Sequence, residues 1–139
     1  MEKTDNKRYT IGIMLGDIHS DDSEDLIRGF YTCAKEEDVN LLFLMGPQVP
    51  LYCSDILSSN DNRHYRYQFD TIYDYVHFSK LDALIIAYGS LSLSTRSGNP
   101  EQFLHDYKDI PCLLLEDIPQ SIDAPYLIAD NYNGIRSWM

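Results

Sequence analysis

Acidic side chains crowd the point where a first apolar segment gives way to an amphipathic one, in the stretch IGIMLGDIHSDDSEDLIRGFY. The carboxylates are Asp17, Asp21, Asp22, Glu24 and Asp25. A phosphate site at such a place needs glycines and unhindered backbone amides, so this loop disfavours nucleotides and other anions. Acids in the first turn of a helix complement its dipole, which accounts for part of the cluster. Asp17, His19 and Ser20 precede the helix, and we predict that they contact a ligand.

Polar residues also follow the later apolar segments of the chain. Tyr88 and Ser90 follow the third predicted strand, Glu116 follows the fourth and Asp130 follows the fifth. In a parallel sheet such residues gather at one edge, where they can stack on and hydrogen-bond a small polar ligand. Each also has a structural interpretation: a strand-exit turn, a solvated acid or, for Asp130, a helix N-cap.

The sequence gives little support to catalysis or to metal binding. It contains no GxSxG, GxxxxGK[ST], HExxH or GxGxxG motif. A metal site built from Asp17, His19 and Asp21 is an alternative, but its spacing fits no standard loop. An odd number of cysteines without a CxxC pair argues against disulfides and structural zinc; they are Cys33, Cys53 and Cys112. We therefore expect no enzyme activity, no metal and no cofactor in this segment.

Alternating apolar blocks and helical stripes must position these residues. Strands are predicted at 9–15, 41–45, 83–87, 112–115 and 126–129, and helices at 23–37, 69–78, 100–107 and after Asp130. Ser20 or Asp21 is the expected cap of the first helix. Residues 46–67 form a long polar connection, and residues 88–99 a Gly/Ser loop. Uniformly apolar strands alternating with helices predict an α/β fold, a three-layer, doubly wound parallel sheet with the flavodoxin-like order 2-1-3-4-5.

Bulk composition narrows the function classes. The chain has 139 residues, 44% of them hydrophobic, and a formal charge of −11. That charge disfavours direct contact with nucleic acid and with anionic membranes. The polar N-terminus and the lack of a long apolar run predict a cytoplasmic setting. We divide the chain into a disordered segment, 1–8, and a domain, 9–139, and expect the domain to be truncated because its last helix is cut off soon after it starts.

The segment order resembles the effector domain of LacI/GalR repressors. YTIGIMLGDIHSDDSEDLIRGFYTCAKEEDVNLLFL is similar to that family's opening strand and its helix with the pattern I-x-x-G-x-x-x-x-A, matched by Ile27, Gly29 and Ala34. LDALIIA, IPCLLLEDI and APYLIADNYNGIRSWM resemble the family's later strands and its V-D-N-x-x-G segment. The family's Asn-Pro-Phe ligand loop is replaced here by HSDD, and the family's basic DNA-binding headpiece does not precede Tyr9.

This resemblance implies the first lobe of a two-lobed sensor that binds a small polar ligand, sugar-like or cationic, and forms a homodimer. The domain would regulate a bacterial transcription or signalling protein, with a GGDEF diguanylate cyclase as one candidate output module. Two alternatives stay open. One is a flavodoxin-like small enzyme or flavin protein. The other is a dimerisation module without a ligand, in which the stripe around Phe69, Tyr73 and Val76 is the interface.

Overall fold

A five-stranded sheet with only parallel pairings organises the protein. The computed structural model describes residues 7–16, 20–46, 67–91, 100–116 and 123–138. Its strand order, β2-β1-β3-β4-β5, confirms the predicted α/β fold with the arrangement 2-1-3-4-5. The strands are β1 (Thr10–Leu15), β2 (Asn40–Met45), β3 (Ala83–Ala87), β4 (Cys112–Leu115) and β5 (Tyr126–Leu127).

Helical segments alternate with these strands. They are α1 (Asp21–Glu36), α2 (Tyr67–Asp74) with a following 3₁₀ turn (Tyr75–Phe78), α3 (Tyr88–Leu91), α4 (Pro100–His105) and α5 (Asn131–Arg136). Ser20 rather than Asp21 caps α1, because the Ser20 hydroxyl accepts a hydrogen bond from the Ser23 amide at 3.2 Å. Helix α1 therefore begins two residues earlier than the prediction.

One face of the sheet carries the larger part of the core. Alternate strand residues such as Met14, Leu84 and Ile86 are fully buried there. They pack with Tyr73 and Val76 of the α2 region and with Phe103 of α4. The predicted interface stripe is therefore wrong for Tyr73 and Val76, because both side chains are core residues at 3% and 0% exposure.

On the opposite face of the sheet, α1 covers only the part formed by β2, β1 and β3. Ile13, Leu15 and Ala87 are buried beneath Leu26, Ile27 and Phe30 of the helix. Beyond β3 the same face reaches the short strand β5, whose Leu127 is 65% exposed. In the described part of the chain, the second helical layer therefore ends before the sheet does.

Two other predictions concern the loop at 88–99 and the N-terminal segment 1–8. Residues 88–91 are the helical turn α3 and not part of a loop, while 92–99 lie outside the described residues, as does most of the connection 46–67. In the segment 1–8, which we expect to be disordered, the structure describes Lys7 and Arg8. Lys7 forms an ion pair with Asp82, and Arg8 forms one with Asp38. No helix among the described residues is long and apolar enough to span a membrane.

Replacement of Tyr73 by Phe tests how α2 is attached to the sheet. The buried Tyr73 hydroxyl donates to the Leu15 carbonyl at 3.1 Å, at the end of β1. We expect Tyr73→Phe to lower the free energy of unfolding by about 0.5–1.5 kcal/mol, because one buried hydrogen bond is lost while the Gly46 amide still donates to the same carbonyl at 2.9 Å. Urea denaturation measures the change. Tyr75→Phe is the control, since Tyr75 is 60% exposed and should change stability by less than about 0.5 kcal/mol. Equal effects of the two substitutions would contradict this account.

Candidate functional site

The candidate site lies at the carboxyl edge of the sheet, where β1 and β3 end. The chain winds from β1 to β2 in one direction and from β3 to β4 in the other, so ligands of such folds bind at this switch point. Gly16 directly follows β1, and its amide donates to the Ser90 hydroxyl at 3.1 Å. A Cβ on residue 16 would lie 2.1 Å from the Ser90 carbonyl oxygen. Only glycine therefore lets the two strand ends approach this closely.

Glu116, which directly follows β4, belongs to the same cluster. The Ser90 amide donates to its Oε2 at 2.9 Å, and the Ser90 hydroxyl donates to the Ala87 carbonyl at 2.9 Å. A Cβ on residue 89 would lie 2.8 Å from the same carboxylate oxygen, so Gly89 provides the space for this side chain. Gly16, Gly89, Ser90 and Glu116 thus form one hydrogen-bonded cluster, which we call the edge cluster.

The backbone of Glu116 adopts a conformation that side chains other than glycine rarely take. Its φ angle is 74°, in the left-handed region. The other described non-glycine residue with positive φ is Asp38, which follows α1, where this conformation is common at helix ends. Glu116 directly follows β4 instead, and its left-handed backbone costs on the order of 1–2 kcal/mol. Retained strain of this kind is typical of binding sites.

Among the described residues, the edge cluster carries negative charge that no cationic side chain pairs with. Burial raises the pKa of Glu116, and the nearby carboxylate of Asp22 raises it further, while the Ser90 amide opposes both effects. Within the described residues no salt bridge is formed to Glu116 or to Asp22. A cation or a hydroxyl donor at this place would therefore stabilise the ionised carboxylate.

An open groove of about 1110 Å³ leads away from the edge cluster. One wall is the side of α1 that carries Asp22, Leu26, Gly29 and Cys33. The other wall is formed by Leu115, Glu116 and the chain that follows β5. The groove is therefore acidic and polar where it meets the edge cluster and apolar along most of its length.

The structure brings only some of the predicted ligand residues together. Ser20, Ser90 and Glu116 line the groove together. Tyr88 does not: it is only 4% exposed and packs in the core on the other side of the sheet. Its predicted role as a stacking surface therefore needs correction, because Tyr88 continues the alternation of Leu84 and Ile86.

Asp130 caps α5, which confirms the structural interpretation of that residue. Its carboxylate accepts from the Asn133 amide at 3.0 Å and from the Asn133 side chain at 2.6 Å, and these bonds lower its pKa. Asp130 lines a separate smaller pocket of about 420 Å³ rather than the groove. Asp17 and His19 lie outside the described residues, so their ligand role stays a prediction.

Sequence reasoning missed the two glycines of the edge cluster and the apolar floor of the groove. Gly16 directly follows the apolar run TIGIML, which was the available signal for a close approach of the backbone. Leu127 and Ile128 belong to the predicted apolar strand 126–129, but their side chains are 65% and 44% exposed. Their exposure depends on which helices cover the sheet, and sequence pattern alone does not report that.

No group of three potential metal ligands occurs among the described residues. Comparison of this chain with models of protein families, with curated proteins and with solved structures gave no match.

The raised pKa of Glu116 predicts a pH dependence of stability. Between the unfolded and the folded pKa, the native state binds more protons than the unfolded state, so ionisation of Glu116 makes stability fall as pH rises. We expect Glu116→Gln to remove this contribution, so that the stability of the variant relative to the parent increases from pH 4 towards pH 7. Urea denaturation of both proteins across this range gives the difference.

Glu36→Gln provides the matched control for this measurement, because Glu36 is an exposed acid at the other end of α1. Its stability relative to the parent should not rise in the same window. A Glu116→Gln difference that stays flat, or that falls with pH, would contradict the burial of an ionisable Glu116.

Proposed function

We propose that this protein is the ligand-sensing part of a regulatory protein and that it binds a small polar molecule at the edge cluster. The observation that carries the proposal is the meeting of Ser90 and Glu116 with the end of β1 at the switch point of the sheet. A strained acid held by a backbone amide at the mouth of a groove is a costly arrangement for a purely structural residue. A binding role explains why it is kept.

The charge of the site supports a hydroxyl-rich or cationic ligand. Ionised carboxylates only accept hydrogen bonds, so Glu116 and Asp22 suit sugar hydroxyls and ammonium groups. Phosphorylated ligands would meet the same carboxylates as like charges. The net charge of −11 extends this preference over longer distances, because it draws cations and repels anions.

The resemblance to LacI/GalR effector domains supplies the proposed mode of action. The ligand is held between this lobe and a second one, and closure of the lobes shifts the population of an attached output module. Regulation of transcription and regulation of a diguanylate cyclase are both compatible with this mode.

Thermal denaturation of the full-length protein with glucose, spermidine and glucose 6-phosphate tests the proposed ligand class. A ligand at about one hundred times its dissociation constant stabilises the native state by about 2.7 kcal/mol, which raises the melting temperature by several degrees. We expect such a shift with the sugar or with the polyamine. The phosphate ester should give none, because its charge repeats that of Glu116 and Asp22.

Two sets of variants assign any observed shift to the site. Glu116→Gln and the double change Asp17→Ala, His19→Ala should each reduce it, whereas Glu36→Gln removes the same charge far from the site and should preserve it. The proposal fails for these ligand classes if none of the probes changes the melting temperature. The assignment of the site fails if Glu116→Gln shows the same shift as the parent protein.

A further inference from the structure

Ser90 takes part in three hydrogen bonds of the edge cluster. Its hydroxyl accepts from the Gly16 amide at 3.1 Å and donates to the Ala87 carbonyl at 2.9 Å. Its amide donates to Oε2 of Glu116 at 2.9 Å. A serine residue has two donors, the hydroxyl and the backbone amide, and both are used inside the protein here. Ser90 therefore connects the ends of β1, β3 and β4 and has no donor left for a ligand.

The single helical turn α3 is held from both of its sides. Tyr88 and Leu91 are buried in the core at 4% and 0% exposure, and they fix the side of the turn that faces the sheet. On the other side, the Ser90 hydroxyl connects the turn to the end of β1. A helix of four residues has little stability of its own, so its tertiary contacts set its orientation. The direction of the Ser90 amide therefore depends on the Ser90 hydroxyl.

The two carboxylate oxygens of Glu116 differ in their contacts. Oε2 accepts from the Ser90 amide, whereas none of the described residues donates to Oε1. Gly89 leaves the space that this side chain occupies. A carboxylate that is held through one oxygen presents the other in a fixed direction, which lowers the entropy cost of binding. Ser90 thus determines which oxygen of Glu116 a ligand meets.

We propose that Ser90 is a positioning residue of the binding site: its amide holds Glu116, and Oε1 of Glu116 accepts from the ligand. This inference rests on the proposed function, because it assigns separate roles to two residues of the same site. It differs from the expectation that Ser90 itself contacts the ligand. The hydroxyl acts indirectly, since its bonds to Gly16 and Ala87 keep the amide in place.

The titration of Glu116 reports on this arrangement without any ligand. The Ser90 amide favours the ionised carboxylate, whereas burial and the carboxylate of Asp22 favour the protonated one. Asp22 lies on α1, and neither the turn α3 nor the strand β5 carries a charged side chain. A change that loosens the Ser90 amide should therefore raise the pKa of Glu116 further.

Ser90→Ala tests the positioning role by NMR titration of the full-length protein, labelled with ¹³C at its glutamate carboxylates. The resonance of Glu116 is the one that Glu116→Gln removes. We expect the pKa of Glu116 to be higher in Ser90→Ala than in the parent, and close to the parent value in Ser90→Thr, which keeps the hydroxyl.

Ser79→Ala is the matched control for this titration. It removes a hydroxyl that also donates to a backbone carbonyl, that of Tyr75 at 2.9 Å. Ser79 precedes β3, whereas the edge cluster lies beyond the other end of that strand. The control should therefore lose a comparable hydrogen bond and leave the pKa of Glu116 unchanged.

Gly89→Ala reaches the same carboxylate without altering the Ser90 side chain. A Cβ on residue 89 would lie 2.8 Å from Oε2 of Glu116, so the carboxylate must move away from the Ser90 amide. The pKa of Glu116 should rise in this variant as well. Gly89→Ala keeps the inference testable if Ser90→Ala does not fold, which circular dichroism establishes before each titration.

A double-mutant cycle separates positioning from direct contact with the ligand. Isothermal titration of glucose and of spermidine into the full-length protein gives the dissociation constants. We expect Ser90→Ala to weaken binding about tenfold in the parent background. In the Glu116→Gln background the same substitution should change the constant by less than about twofold, because the group through which Ser90 acts is absent.

The outcomes distinguish this inference from the proposed function. An unchanged pKa of Glu116 in Ser90→Ala and Gly89→Ala overturns the positioning role, whichever probe binds. Equal losses of affinity in the two backgrounds also overturn it and assign a direct ligand contact to Ser90. If the pKa rises as expected but neither probe binds, the arrangement of Ser90 and Glu116 is supported, and the proposed function fails for these ligand classes.

Discussion

Burial of both faces of a parallel sheet is the constraint on which the other features of this protein depend. Strands that are covered on both faces must be apolar at every position, which leaves hydrogen-bonding groups for the loops. The right-handed connections then place those loops at one edge. Ser90 and Glu116 meet there because β3 and β4 are neighbours that end in register, with Ala87 opposite Leu115. The edge cluster thus follows from the pairing of neighbouring strands, and the loops need no distant contacts of their own to form it.

The same constraint explains why the fold could be predicted in detail. Blocks such as ALIIA and CLLL are too short for helices and too apolar for surface loops, so they predict buried strands. Helix α1 was equally clear from the spacing of Leu26, Ile27 and Phe30. Strand β5 was predicted too long, because Ile128 and Ala129 are apolar yet have no paired neighbour in the sheet.

The candidate site could be predicted only in part, because sequence locates strand ends but not the direction of each side chain beyond them. Ser90 and Glu116 were identified by their position after a strand. Tyr88 was misassigned, although the alternation of Leu84 and Ile86 continues through it into the core. The roles of Gly16 and Gly89 depend on distances between segments far apart in the chain, such as the contact of residue 16 with the Ser90 carbonyl. No local pattern encodes such a contact.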